Sequence, residues 1–163
     1  RMIDDIASSL GCTSFRSAVG EANVAGAMKE HQCIIGGEGN GGVIFPRVCW
    51  VRDSLAAMML TLDLMCSRGS TLSSIVNDLP KYTMIKRAID LQDLGGIAAV
   101  YEEIERLKTV YASEQLDDRD GLRIDFKEGW VHLRPSNTEP IARIIAEASD
   151  EATANDLADR VQL

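Results

Sequence analysis

The feature that most constrains this chain is the alternation that begins at Leu122. "LRIDF" alternates apolar with polar residues, "KEG" turns, and "WVHLRP" alternates back, the signature of a β-hairpin. "IARIIAEA" supplies a further strand. A helix follows, with Ser149 expected as its N-cap and Asp150 and Glu151 in the first turn, where the helix dipole favours carboxylates. Upstream, "KYTMIKRAI" reads as a strand. "GGIAAVYEEIERLKTVYA" reads as an amphipathic helix aligning Val100, Ile104, Leu107 and Tyr111. "DDRDG" is a turn. Strands joined by hairpins and helices in this order describe an α+β domain.

The first half has another character. "RMIDDIASSLG" puts Ile3, Ile6, Ala7 and Leu10 on one helical face, with Gly11 at the C-terminal cap. "CTSFRSAV" reads as a short strand, "EANVAGAMKEH" as a helix, "QCIIGG" as a buried strand and "VIFP" as extended. A strong helix is expected over 53–67, with an apolar stripe of Leu55, Met58, Met59, Leu62, Met65 and Cys66 suited to core packing, closed by Gly69. Ser70 would cap a short helix running to Leu79, which Pro80 stops. Helix alternating with strand is the pattern of a parallel α/β layer, and a chain that opens on a helix has the look of such a layer without its first strand. The boundary between the two characters falls near residues 79–81.

Composition narrows the function classes. The chain has 163 residues, 45% of them apolar, and a formal charge of −8. That balance argues against broad nucleic-acid or anionic-membrane binding, so an anionic ligand needs a local positive pocket. Cys12, Cys33, Cys49 and Cys66 form no C-x-x-C pair and read as free thiols of a reducing compartment. His31 and His132 match no metal-ligand spacing. With neither a signal peptide nor a membrane-spanning segment in view, the expectation is a soluble, cytoplasmic protein.

The stretch "CIIGGEGNGGVIFP", residues 33–46, contains G-x-G-x-x-G. A dinucleotide fingerprint leads straight into a helix whose N-terminus holds pyrophosphate. Here Gly42 leads into Val43, Ile44, Phe45 and Pro46, and Glu38 between the glycines would repel a phosphate. An ionised Glu only accepts hydrogen bonds, and its two oxygens suit the neighbouring hydroxyls of a sugar. Asn40 adds an amide that donates and accepts, and the glycines admit a ligand close to the backbone. Glu38 is expected to make no core contact.

"RPSNTEP", residues 134–140, lies between two alternating strands. Arg134 offers a planar fork matching phosphate oxygens. Ser136 and Thr138 supply hydroxyls, Asn137 an amide, and the turn's N–H groups can converge as an anion nest. Sugar hydroxyls on one loop and phosphate on the other describe a sugar-phosphate ligand.

At these two motifs the chain resembles the C-terminal part of the α-D-phosphohexomutases, which include phosphoglucomutase, phosphomannomutase and phosphoglucosamine mutase. "GGEGNGG" is similar to their third-domain sugar-binding loop and "RPSNTEP" to their fourth-domain phosphate-binding loop, with "VGE" and "RDSLAAMML" flanking the former in the expected order. The resemblance implies that residues 1–79 are the end of domain 3, a mixed α/β sheet domain. It implies that residues 80–163 are domain 4, a small domain of antiparallel sheet and helices (TBP-like). It implies an intramolecular phosphotransferase that interconverts hexose 1-phosphate and hexose 6-phosphate through a phosphoserine and a hexose 1,6-bisphosphate intermediate. Glu38 and Asn40 would hold the sugar, and Arg134, Ser136, Asn137 and Thr138 the phosphate that is not reacting. Magnesium (Mg2+) would be bound by domain 2, which these residues do not include, nor do they include the family's catalytic serine loop. The fragment alone is therefore expected to bind and not to turn over. Where the family loop commonly reads G-E-x-S-G-H, Asn40 and Gly42 stand for the serine and the histidine, which leaves open which hexose phosphate is preferred. The alternative is a non-catalytic sugar-phosphate- or nucleotide-sensing module.

Overall fold

A computed structural model of the chain describes residues 1–39, 41–93, 95–136 and 139–161. They divide into two compact units, Met2–Pro80 and Lys81–Leu163, with Arg1 assigned to the latter.

In Lys81–Leu163 five antiparallel strands form one sheet in the order β3-β7-β6-β5-β4. They are β3 (Thr83–Asp90), β4 (Gln115–Asp117), β5 (Leu122–Asp125), β6 (Gly129–Pro135) and β7 (Ile141–Ala148), with α5 (Ile97–Val110) between β3 and β4 and α6 (Glu151–Asp159) after β7. The alternation does what period two requires. Leu122, Ile124, Val131, Leu133, Ala142, Ile144 and Ala146 turn to one face and share a closed core with Val100, Ile104 and Leu107 of α5 and Leu157 of α6. The other face carries the polar set, including Arg123, His132, Arg134 and Arg143. Trp130 lies on that face too. Its indole N–H donates to the buried Glu147 carboxylate at 2.8 Å, and the Arg123 guanidinium stacks over its ring at 4.0 Å. The β4 strand is too short for its pattern to register in the sequence, and α6 is capped by Asp150 rather than Ser149. The Asp150 backbone is extended and its carboxylate accepts the Thr153 N–H at 2.9 Å, while Ser149 donates to the same carboxylate.

In Met2–Pro80 the helices are α1 (Met2–Ser9), α2 (Glu21–Glu30), α3 (Ser54–Arg68) and α4 (Leu72–Asn77). Asp53 caps α3, accepting the Ala56 N–H at 2.8 Å, and Gly69 ends it in the left-handed region at φ 57°. The cap of α4 is Thr71, which accepts the Ser74 N–H, not Ser70, and the helix ends at Asn77 rather than Leu79.

Three expectations for this half are corrected. Residues 12–18 form no strand, and Phe15 is half exposed, stacked on the His31 ring at 4.0 Å. "QCIIGG" is no buried strand: the end of α2 takes up Gln32 in a positive-φ conformation and Cys33, whose N–H bonds to the Met28 carbonyl. That leaves Ile34 and Ile35 outside any ladder, 78% and 51% exposed. The parallel layer is replaced by a two-residue antiparallel ladder, β1 (Gly36–Gly37) with β2 (Val43–Ile44). A strand persists only where a neighbouring strand takes its backbone groups, and residues 12–18 and 32–35 belong to no ladder of the described sheets. The apolar stripe of α3 is likewise uncovered, with Leu55, Met58, Met59 and Leu62 exposed and only Ala56 buried.

Candidate functional site

The glycine loop is shaped by its two-residue ladder. Gly37 pairs Val43, the Glu38 N–H bonds to the Gly42 carbonyl at 3.1 Å, and the Gly41 N–H returns to the Glu38 carbonyl at 3.1 Å. A Cβ on Gly37 would collide with the Gly42 carbonyl oxygen, so a tight return of this kind needs glycine there. No helix follows Gly42; β2 does.

Glu38, expected to make no core contact, is held at both oxygens by groups outside the buried core. Oε1 accepts the Gly20 N–H at 3.2 Å, and Oε2 lies 3.3 Å from Nη1 of Arg52, leaving the side chain 16% exposed. Gly20 is the N-cap of α2, so the carboxylate sits where the helix dipole favours it. Arg52 also donates from Nε to Glu21 at 2.5 Å. That hydrogen bond holds the Glu21 carboxyl below its ordinary range and raises Arg52. Three separated motifs, "VGE", "GGEGNGG" and "VRDS", thus converge on one chain of charges, Glu21–Arg52–Glu38. Gly20, Glu21 and Arg52 were missing from the sequence-based site because nothing in the spacing reveals the pairing. A carboxylate fixed in this way still has a lone pair on each oxygen for a hydroxyl donor.

The second loop, residues 136–140, joins β6 to β7. The Ser136 N–H closes it onto the Ile141 carbonyl at 2.9 Å, and the Leu91 N–H takes the Pro140 carbonyl at 3.0 Å. Arg134 stands opposite Arg143, one register pair before the end of the ladder at Pro135 and Ala142. Its side chain is 13% exposed, with Nη1 3.8 Å from the Asp120 carboxylate. Its Nε is buried without a hydrogen-bond partner. Leaving such a donor unmade is costly, so a buried one calls for a partner such as a water, an ion or a ligand.

The "DDRDG" turn, read from sequence as a connector, proves to be the floor beneath Arg134. Gly121 has φ 74°, and a Cβ there would lie 2.8 Å from Arg134 Cα and collide with the Leu133 carbonyl oxygen. His132 Nε2 meets the Asp120 carbonyl at 2.5 Å. Burial lowers the His132 pKa, so the neutral ring donates there, against the smaller upward pull of Asp120.

Glu38 lies in the glycine loop of one unit, whereas in the other Arg134 lies on β6 and Ser136 directly after it. Asn40, Asn137 and Thr138 lie outside the described residues. Among the described residues no group of three or more His, Cys, Asp or Glu could hold a metal ion, and no helix is long and apolar enough to cross a membrane.

Comparison with known proteins gives a consistent result. Residues 1–82 match the family described as "Phosphoglucomutase/phosphomannomutase, alpha/beta/alpha domain III". Residues 85–163 match "Phosphoglucomutase/phosphomannomutase, C-terminal domain". A "Phosphoglucomutase/phosphomannomutase" of Thermococcus kodakarensis is 36% identical over 156 residues, 95% of this chain and 33% of that protein. A "Probable phosphoglucosamine mutase" of Methanopyrus kandleri is 33% identical over 158 residues, 97% of this chain and 34% of that protein. The chain therefore spans about a third of the length of these curated relatives. In fold it is similar to a phosphoglucomutase/phosphomannomutase family protein of Burkholderia thailandensis, with TM-score 0.78 at 21% identity, covering 99% of this chain and 34% of that one. It is also similar to an Aspergillus fumigatus N-acetylphosphoglucosamine mutase solved with GlcNAc-6P and magnesium, with TM-score 0.63 at 17% identity, covering 98% of this chain and 38% of that one.

Proposed function

We propose, from the premise that this chain belongs to the phosphoglucomutase/phosphomannomutase family, that it is the substrate-gripping part of a hexose-phosphate mutase. In the intact protein the reaction would interconvert hexose 1-phosphate and hexose 6-phosphate by way of a phosphoserine and a bisphosphate intermediate. Residues 1–79 are the end of domain 3 and residues 80–163 domain 4. Glu38 and Asn40 accept and donate to ring hydroxyls. Arg134, Ser136, Asn137 and Thr138 take the phosphate at the end of the sugar that is not reacting. Binding energy gathered at that end positions the other, which is how remote contacts lower a barrier.

The observation that carries this reading is Arg134, whose Cα and Cβ lie against the Gly121 turn and whose buried Nε has no hydrogen-bond partner. A planar fork with a vacant edge, beside a hairpin whose side chains are hydroxyls and amides, is suited to phosphate oxygens. Glu38 supports the sugar half of the reading, since Arg52 and the Gly20 N–H fix its direction in advance of any ligand. The donor set for magnesium is not formed by the described residues, so no step is assigned to the metal. The protein so described acts in the cytoplasm on soluble phosphosugars.

The test is a titration of the chain with glucose 6-phosphate, followed by amide chemical shifts, on wild type and Arg134→Ala. Shifts centred on residues 134–143 that vanish in the variant are expected. Shifts elsewhere, or shifts indifferent to Arg134, would show the hairpin to be an ordinary turn. The chain alone should show no mutase turnover with glucose 1-phosphate, its 1,6-bisphosphate and magnesium.

A further inference from the structure

We infer that His132 is a positioning residue of the Arg134 site, acting through Asp120, and that its ring takes up a proton when an anion binds there. The inference rests on the hairpin being a phosphate site and adds to it a residue and a pH dependence.

Asp120 is tied to β6 twice. Its backbone carbonyl meets His132 Nε2 at 2.5 Å, and its carboxylate lies 3.8 Å from Arg134 Nη1. The next residue, Gly121, carries the chain against the Cα and Cβ of Arg134. Register explains the reach: Arg123 opposes His132 and Leu122 opposes Leu133, so the turn before β5 runs out beside Arg134. The hydrogen bond from the ring fixes this turn. The turn in its place holds an acid on the Nη side of Arg134, while the buried Nε stays without a partner.

The charges that face the ring are balanced except at one point. On β5, Arg123 opposes it, and Asp125 accepts from Nε and Nη2 of that arginine at 2.8 and 2.7 Å. Asp117 of β4 stands beyond Arg123. On β7 the register partner is Ile145, with Arg143 and Glu147 on either side of it, paired to Glu139 and Trp130. Lys86 of β3 lies beyond Ile145. On β6 the neighbours of the ring are Trp130 and Arg134, and Arg134 has Asp120 as its acidic neighbour among the described residues. Burial, aided by Arg134 and Arg123, keeps the unliganded ring neutral against the pull of Asp120. An anion held by Arg134, two residues or about 7 Å along the strand, reverses that balance. It raises the ring's pKa, and by reciprocity the bound proton tightens the anion. Affinity is then flat at high pH, rises as pH falls through the raised value of the complex, and levels off below the value of the free chain.

The experiment titrates the 163-residue chain with sulfate at pH 5.5, 6.5 and 7.5 and constant ionic strength. Sulfate keeps its charge across this range, unlike a phosphate monoester with its second pKa near ~6. Amide shifts give the affinity, and the His132 ring Cε1–H gives its pKa with and without sulfate. Saturating sulfate should raise that pKa by about half a unit or more, equivalent to about threefold in affinity at the acid limit. His132→Leu fills the place without a donor and should bind about threefold more weakly or worse at pH 7.5, with an unchanged amide spectrum outside residues 118–136. His132→Gln keeps a donor for the Asp120 carbonyl and cannot titrate. It should recover most of the binding lost in His132→Leu at pH 7.5 and show no rise in affinity on acidification. A ring pKa unmoved by saturating sulfate, or His132→Leu binding as tightly as wild type, would overturn the inference and leave the phosphate site to Arg134. Equal weakening in His132→Gln and His132→Leu would mean that the hydrogen bond to Asp120 does not position the site, and would overturn it as well. Absence of sulfate shifts at residues 134–143 of wild type would remove the phosphate site itself.

Discussion

At the scale of single residues, the two motifs are held by partners that their own sequence does not contain. From sequence Glu38 is expected to make no core contact, and in the structure it is anchored by Gly20 and Arg52. Glu38→Ala should therefore lower the stability of the chain by about 1–2 kcal/mol, through an orphaned N–H and a lost charge partner, beyond any loss of sugar affinity. A urea midpoint equal to wild type would show that the anchoring carries no weight. Gly121→Ala combines a positive φ with a collision against Arg134 and the strand beside it. Its expected cost is about 1–3 kcal/mol or more, with weakened phosphate binding because the floor under Arg134 must move. Denaturation and the glucose 6-phosphate titration report the two effects separately. His132 gives a pH signature. Burial holds its folded pKa below the ordinary 6.5, so the unfolded chain takes up the proton first on acidification. Its contribution is fully present above about pH 6.5, declines as pH falls from there to the lowered folded value, and is flat below that. Urea midpoints between pH 5 and 8 should show this slope in wild type and lose it in His132→Gln.

At the scale of elements, legibility followed the length and clarity of the periodic signal. The strands β5, β6 and β7 were readable because alternation over several residues states which face each side chain takes, and α5 because Val100, Ile104 and Leu107 repeat at helical spacing. A three-residue strand such as β4 has no period to show. Adjacent cap candidates are equally ambiguous: Ser70 and Thr71, or Ser149 and Asp150, are all competent side chains, and only backbone dihedrals decide which oxygen reaches the third N–H. Asp150→Ala should lower the melting temperature and Ser149→Ala should lower it much less, a difference that thermal unfolding can resolve. The site follows the same division. Arg134 and Ser136 stood out as candidates because they lie in a dense local motif. Asp120, Gly121 and Arg143 became neighbours of Arg134 only through strand register, which couples residues 9–14 positions apart and leaves no mark in composition.

At the scale of the whole molecule, the two units differ in how far their own residues can shelter them. Lys81–Leu163 closes a core between one sheet face and two helices. Residues 81–163 expressed alone should fold cooperatively, and an amide spectrum without dispersion would contradict this. In Met2–Pro80 the buried apolar residues are few, Met28, Ile44, Ala56 and Ile75 among the described ones, and the longest helix presents Leu55 and Met59 outward. The placement of β7 then has a consequence in time rather than in energy. It is hydrogen-bonded on both sides, to β3 and to β6, so its amides open only when the sheet comes apart. Transferred to deuterium oxide, Ile144 and Ala146 should keep their protons long after Glu38 and Gly41, whose N–H groups close a turn on a two-residue ladder, have exchanged. The phosphate hairpin hangs from the slowest clock in the chain and the sugar loop from a fast one. Protection gained from a bound phosphosugar should therefore be easiest to see at the glycines, where there is least to begin with.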